Sequence, residues 1–111
     1  MSTVISLPVR RSSSKTTYFT RPELDQLLSL YSKHVATGEW RDYAIDHSPG
    51  LATFSIFRHA HDAPLFSVAK MLGGSQRNGP YAVFKGKEKL KQGRSLSDVL
   101  RVFEKQLRVI R

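Results

Sequence analysis

The chain has 111 residues, the length of a single domain, and 40% of them are apolar, which suits a globular protein. It contains no cysteine, and this excludes disulfide bonds, thiolate metal sites and cysteine nucleophiles. Its apolar runs are too short for a membrane span, so we expect no membrane partner, and 18 Lys and Arg against 9 Asp and Glu give a net charge of +9.

This charge is unevenly distributed along the chain. Residues 70–94 contain seven basic residues and only one acid, Glu88, whereas residues 21–69 are slightly acidic. A strongly basic segment favours a polyanion or an acidic protein as partner. The alternative is a solvated basic surface that only keeps the protein soluble.

Residues 1–17 are rich in Ser, Thr and Arg and show no apolar periodicity. We therefore expect a flexible basic tail over residues 1–17 and a single folded domain over residues 18–111. An acid-free start rich in Arg and Ser is also typical of organelle transit peptides, which is the less favoured interpretation.

The first element has clear helix signals. Thr20 and Glu23 have the spacing of a capping box, and Pro22 lies in the first turn. Apolar residues then recur at spacings of three and four: Leu24, Leu27, Leu28, Tyr31 and Val35. With Gly38 at the position that usually follows a helix, the sequence predicts a helix over about 21–37.

After Gly38 the pattern changes to period two, which indicates strands. Strands are predicted at about 40–47, 51–59, 64–71 and 81–85. The pattern leaves undecided whether residues 88–92 form a short fifth strand. Ser95 and Asp98 resemble a second capping box, and an apolar stripe from Leu96 to Ile110 predicts a C-terminal helix. The expected fold is α+β: a four- or five-stranded antiparallel sheet with an N-terminal and a C-terminal amphipathic helix packed on one face.

The segment "GEWRDYAID" (38–46) allows three interpretations. It could be a corner that the fold requires, a recognition surface or a catalytic site, and the first is favoured. Alternation places Tyr43 on the core face and Trp40 on the opposite, open face with Phe57. Exposed there, Trp40 would offer a surface on which bases stack. Catalysis is disfavoured because Asp42 and Asp46 lie about 13 Å apart along one strand.

Two further motifs are weak. His59, His61 and Asp62 have a ligand-like spacing, but a catalytic zinc site needs at least three converging ligands. The glycine-rich segment 73–79 precedes Pro80 and a strand rather than a helix, so it predicts a hairpin loop and not a phosphate loop. We expect no metal and no cofactor, and the sequence favours a non-enzymatic protein.

The segment "KGKEKLKQGR" (85–94) is the strongest functional candidate. In an extended segment its lysines would align on one side and match a row of phosphates. The predicted phosphate-binding residues are Lys85, Lys87, Lys89, Lys91 and Arg94, with Arg101 and Arg108 on the last helix. The alternative is an edge strand that lysines protect against aggregation.

Several segments together resemble one bacterial family. "GEWRDYAID" (38–46), "FSIFR" (54–58), "PLFSVAK" (64–70), "GPYAVF" (79–84) and "LKQGRSLSDVL" (90–100) stand in the order found in the alphaproteobacterial domain of unknown function 2794. The resemblance covers about residues 18–108 and implies a compact cytoplasmic bacterial domain without a known activity.

The leading hypothesis is therefore a nucleic-acid-binding accessory protein that recognises RNA or DNA. In it, the basic residues above hold phosphates and Trp40 stacks a base. A regulatory protein-interaction module is the second hypothesis, with an acidic protein or a second copy of the chain as partner through the open sheet face or its edge.

Overall fold

The computed structural model describes residues 15–59, 63–72 and 78–110, and of residues 105–110 it describes the helix without the side chains. The elements are α1 (Arg21–Ala36), β1 (Asp42–Ser48), β2 (Leu51–Phe57), β3 (Phe66–Met71), β4 (Tyr81–Lys85), β5 (Glu88–Gly93) and α2 (Leu96–Ile110). The strands form one antiparallel sheet in the order β1-β2-β3-β4-β5. The predicted α+β class, with an antiparallel sheet and two helices, is confirmed, and the fifth strand is present.

Helix α1 begins and ends where its sequence predicts. The Thr20 side chain accepts from the backbone N–H of Glu23, and Glu23 accepts from the N–H of Thr20, so the capping box is formed. Gly38 follows the helix with φ of +83°, a left-handed conformation that most side chains disfavour. The helix therefore stops within one residue of its predicted end.

The strand register assigns side chains to two faces of the sheet. Tyr43 of β1 is paired with Ile56 of β2, Ile56 with Phe66 of β3, and Phe66 with Lys85 of β4, so these residues share one face. Side chains from both helices contact this face: the Tyr31 ring of α1 lies 4.8 Å from that of Tyr43. We call it the helix-side face.

The core lies between the helices and this face. Its largest fully buried side chains include Phe54, Ile56 and Val68 of the sheet, Leu27 of α1 and Phe103 of α2. The Phe103 ring stands perpendicular to that of Phe66, with centroids 5.0 Å apart. Aromatic rings favour such edge-to-face contacts, which here join α2 to the sheet.

The last residues of the predicted basic tail contact the folded domain. Thr16 forms an isolated antiparallel bridge with Pro49, and Thr17 is buried and donates its N–H to the carbonyl of Ser48. Residues 1–14, most of the predicted tail, lie outside the described residues. The boundary of the tail at residue 17 stays a prediction.

No helix among the described residues is long and apolar enough to cross a membrane.

Candidate functional site

The corner between α1 and β1 buries Trp40. Its side chain is 3% exposed, and its N–H and that of Glu39 both point at the carbonyl of His34, at 3.4 and 3.0 Å. Trp40 precedes β1, which begins at Asp42, so strand alternation does not apply to it. The prediction that Trp40 lies on the open face is therefore wrong, and no base can stack on a ring in this position.

The Trp40 ring packs against His34. The two rings are stacked with centroids 4.0 Å apart and planes 14° apart, and Phe103 meets Trp40 edge-on at 5.3 Å. His34 is 1% exposed, although a histidine near a helix end is usually solvated. Helix α1 brings it inward because it continues the buried side of the helix, seven residues after Leu27.

The two nitrogens of His34 are in different environments. Nδ1 lies 3.2 Å from the carbonyl oxygen of Leu30, and a carbonyl only accepts, so Nδ1 carries a proton. Nε2 is buried and has no hydrogen-bond partner. The nearest carboxylate oxygen, Oε1 of Glu39, is 3.7 Å away, too far for a hydrogen bond.

His34 and Glu39 both line a small cavity of about 200 Å³, which we call the corner cavity. Its polar lining consists of His34, Glu39, Arg58 and Lys85. Its apolar lining consists of Trp40, Leu65, Phe66 and Phe103. A carboxylate, an imidazole and two cationic side chains thus surround one small space with aromatic walls, an arrangement that can bind a polar small molecule.

His34 also lines a second, larger space between the two helices. This groove has a volume of about 400 Å³ and is bounded by residues of both helices, among them Gln26, Lys33, Leu100 and Glu104. Glu39, the residue whose carboxylate lies 3.7 Å from Nε2 of His34, lines the corner cavity and not this groove. The corner cavity is therefore the better candidate for a ligand site.

The predicted phosphate-binding residues concentrate at the β4–β5 hairpin. Lys85, Lys87 and Lys89 are exposed, and Arg94 follows β5 at the start of the connection to α2. Because β5 is the last strand of the sheet, this group lies along an edge. We call Lys85, Lys87, Lys89, Lys91 and Arg94 the basic edge.

The sequence predicted that the lysines of the basic edge align on one side, and this prediction is wrong. Lys89 is paired with Phe84 and Lys91 with Val83, and Leu90 is an extra residue between them. This bulge places Lys89 and Lys91 on opposite faces. Lys91 lies on the helix-side face, 3.9 Å from the carboxylate of Asp98, and Lys89 donates to Gln92 at 2.6 Å.

The two basic residues of α2 are placed differently. Arg101 is exposed and follows Asp98 by three residues, so it lies one turn further along the helix side that meets Lys91. The side chain of Arg108 lies outside the described residues. Arg101 extends the basic edge, and Arg108 stays a prediction.

A second polar cluster lies at the start of α1. The ammonium of Lys70, on the helix-side face of β3, donates to Glu23 Oε1 at 2.8 Å and to the carbonyl of Tyr18 at 2.9 Å. The Tyr81 hydroxyl donates to the other oxygen of Glu23. Glu23 thus caps its helix and also anchors it to the sheet.

This cluster shifts two pKa values. Burial by itself raises the pKa of Glu23, but the hydrogen bonds from Lys70, Tyr81 and the Thr20 backbone outweigh it and hold that pKa below its usual value. Burial, followed by the hydrogen bond to the Glu23 carboxylate and its charge, raises the pKa of Tyr81 to about 12. The cluster is a structural anchor, because its donors and acceptors satisfy each other.

The structure gives no support to the two weak motifs, the histidine cluster and the glycine-rich segment. Within the described ranges, no three His, Asp or Glu residues lie close enough to hold a metal ion. His59 is exposed, and His61 and Asp62 lie outside the described residues, as do residues 73–77 of the glycine-rich segment.

A family model described as "Protein of unknown function (DUF2794)" matches residues 17–100. The chain belongs to the DUF2794 family. The match includes the lining of the corner cavity except Phe103, the Glu23–Lys70 anchor and all of the basic edge. No curated protein and no solved structure matched the chain.

Sequence reasoning did not find that Lys70 and His34 are buried in this DUF2794 domain. For Lys70 a signal exists, since Phe66, Val68 and Lys70 share a strand face and a lysine on an apolar face requires a buried partner. For His34 the signal is its spacing of seven from Leu27 on α1. Nothing in the sequence indicates that His34 and Trp40 stack.

Proposed function

We propose that this domain binds nucleic acid through the basic edge, as a non-enzymatic accessory protein in the bacterial cytoplasm. The observation that supports this most is the concentration of five basic residues at one sheet edge with Glu88 as the single acid between Lys85 and Arg94. An exposed strand edge with a projecting hairpin can follow a phosphate backbone without contacting the bases.

Because Trp40 is buried, the proposed binding surface does not include its ring as a platform for base stacking. Without a stacking platform, affinity would come from phosphate contacts alone, so binding would be insensitive to base sequence and would decrease with salt. Since the bulge turns Lys89 and Lys91 to different faces, the backbone would run along the edge of the sheet rather than across a face. Arg101, and Arg108 if it is exposed, would extend the contact along α2.

A binding titration tests this proposal. Labelled single-stranded RNA and duplex DNA are titrated with the protein at two salt concentrations, and the double variant Lys87→Glu, Lys89→Glu is compared with wild type. Both lysines are exposed, so the variant should fold. The matched control is Arg21→Glu, Arg41→Glu, which makes the same charge change at exposed positions away from the edge.

Affinity should fall at least tenfold in the edge variant and much less in the control. For about four phosphate contacts, the logarithm of the binding constant should fall with a slope of about −3 to −4 against the logarithm of salt concentration. Absence of binding at low salt, or an equal loss in both variants, would reject the basic edge as the binding surface.

The other face of the sheet supports a second candidate function, self-association. Strand alternation places Asp42 and Asp46 at its β1 border and Lys89 near its β5 border. Between these borders the face is uncharged. Its small residues are Thr53, Ser55, Ser67, Ala69 and Ala82, and its large apolar residues are Leu51, Phe57, Met71 and Phe84. If both helices cover only the helix-side face, this second face is free to pack on another copy.

Two copies related by a two-fold axis parallel to the strands would place β1 of one against β5 of the other. The Lys89 of each copy would then face Asp42 and Asp46 of its partner. In sedimentation, the single variants Asp46→Lys and Lys89→Asp should each weaken a dimer, and the double variant should restore it. A monomer at all accessible concentrations would exclude this candidate.

A further inference from the structure

The corner cavity is lined by two residues whose polar atoms face each other beyond hydrogen-bond distance. Nδ1 of His34 donates to the Leu30 carbonyl, its buried Nε2 has no hydrogen-bond partner, and Oε1 of Glu39 lies 3.7 Å from Nε2. A buried polar atom without a partner destabilises the folded state, and proteins rarely retain one without a reason. A donor group positioned between these two atoms would satisfy both.

The same cavity contains two cationic groups. Arg58 extends past the end of β2, and Lys85 ends β4 on the helix-side face. Among the described residues, neither forms an ion pair with Glu39, whose carboxylate lies 3.7 Å from Nε2 of His34. The lining therefore combines the polar pair His34 and Glu39 with two basic side chains, Arg58 and Lys85.

We propose that the corner cavity binds a small zwitterion of the α-amino acid class. Its ammonium group would donate to His34 Nε2 and to Glu39, and its carboxylate would accept from Arg58 and Lys85. Both charged ends are then paired in a space where an unpaired charge would be costly. The proposal goes beyond nucleic-acid binding and does not depend on it.

The size and walls of the cavity restrict the side chain of the ligand. A volume of about 200 Å³ is below the roughly 300–1,000 Å³ of pockets for larger ligands. The remaining walls are Trp40, Leu65, Phe66 and Phe103, which are apolar. A small apolar amino acid such as alanine or valine therefore fits better than a charged or bulky one.

Trp40 provides the readout, because it is the only tryptophan of the chain and is stacked on His34. Its emission is followed while alanine, valine and lysine are added at constant ionic strength. Acetate and ethylamine serve as probes that carry only one end of the ligand. The imidazole nitrogen resonances of His34 are recorded in the same titrations, so that binding without a change in emission is also detected.

We expect a saturable change with alanine or valine, and binding at least tenfold weaker for lysine and for either single-ended probe. Glu39→Gln and Arg58→Gln should each weaken binding at least tenfold. Arg41→Gln and Asp42→Asn, exposed residues beside the corner that do not line the cavity, should leave it unchanged. Lys85 is left intact, since it also belongs to the basic edge.

Three results would overturn the proposal. One is the absence of any saturable response, in emission or in the His34 resonances, to the amino acids at concentrations up to about 10 mM, where affinity would be negligible. Another is an equal response to acetate, which would indicate a simple anion site. The third is unchanged binding in the Glu39→Gln variant. This result would show that the ligand does not bind Glu39, so that His34 and Glu39 are paired with water or with each other.

Discussion

The ammonium of Lys70 and the carboxylate of Glu23 lie 2.8 Å apart, both nearly buried, and they join the third strand of the sheet to the first turn of α1. Glu23 is at the same time the capping-box residue that accepts from the N–H of Thr20. One carboxylate therefore caps the start of the helix and positions the helix on the sheet. A local helix signal and a long-range contact depend on the same side chain.

Removing the carboxylate of this pair should be more costly than removing the ammonium. Glu23→Ala leaves Lys70 buried without its partner and should lower the free energy of unfolding by about 3–5 kcal/mol. Lys70→Met should cost less, because Glu23 keeps its bonds to Thr20 and Tyr81. Denaturant unfolding measures both, with exposed Lys87→Met as the control expected within about 0.5 kcal/mol of wild type.

Acid should destabilise the domain through Glu23. Its pKa is lower in the folded protein than the ordinary value of 4.5, so its contribution is complete above that value and is lost as the pH falls through the folded pKa. In the Glu23→Gln variant this loss should be absent, which unfolding curves at pH 3 to 6 would show. An identical acid dependence in wild type and variant would contradict the prediction.

Alkali should act on the same cluster through Tyr81. Its pKa rises from 10.0 to about 12 on folding, so its contribution is complete below pH 10 and is lost as the pH rises toward 12. In an absorbance titration of the four tyrosines, Tyr81→Phe should remove a step near pH 12. Tyr43→Phe, at an exposed tyrosine, should leave that late step in place.

The fold was predictable where a local signal fixed the backbone. Thr20 and Glu23 fixed the start of α1, Gly38 fixed its end, and the turns between apolar runs located four of the five strands, with the fifth left undecided. These signals involve residues a few positions apart, and local hydrogen bonding or backbone sterics determine their conformation.

The candidate site was less predictable because its contacts are long-range. Strand alternation was extended backward to Trp40, which is two residues before β1 and packs against His34 of the preceding helix instead. The extra residue Leu90 reversed the expected alignment of Lys89 and Lys91. Neither a bulge nor a stacked corner leaves a periodic trace in the sequence, so only the three-dimensional arrangement reveals the corner cavity.

If the main role of the corner between α1 and β1 is to stabilise the fold, substitutions of Trp40 should be among the most destabilising in the domain. Trp40→Ala removes a ring that contacts His34, Phe66 and Phe103, and it should lower the free energy of unfolding by about 3–5 kcal/mol. Trp40→Phe should cost less, since most of the volume is kept. Val35→Ala, at an exposed apolar position on α1, is the control and should change stability by about 0.5 kcal/mol or less.

Two glycines with left-handed backbone should respond very differently to alanine. A Cβ at Gly79 (φ +105°) would lie 2.0 Å from the carbonyl oxygen of Gly93, so the backbone of β5 would have to move. At Gly86 (φ +59°), in the two-residue β4–β5 turn, a Cβ meets nothing within 4 Å. Gly86→Ala should therefore cost only the conformational strain, about 1–2 kcal/mol.

Gly79→Ala should cost more than about 4 kcal/mol, a loss that is exceptional for a single substitution. Thermal unfolding of both variants measures the difference, and the amide resonances of Gly93 and Arg94 show whether β5 has moved. Equal costs would mean that strain alone governs both positions and that β5 can shift without penalty. Because Lys89 and Lys91 of the basic edge lie on β5, Gly79→Ala should also displace them, whereas Gly86→Ala should leave them in register with Phe84 and Val83.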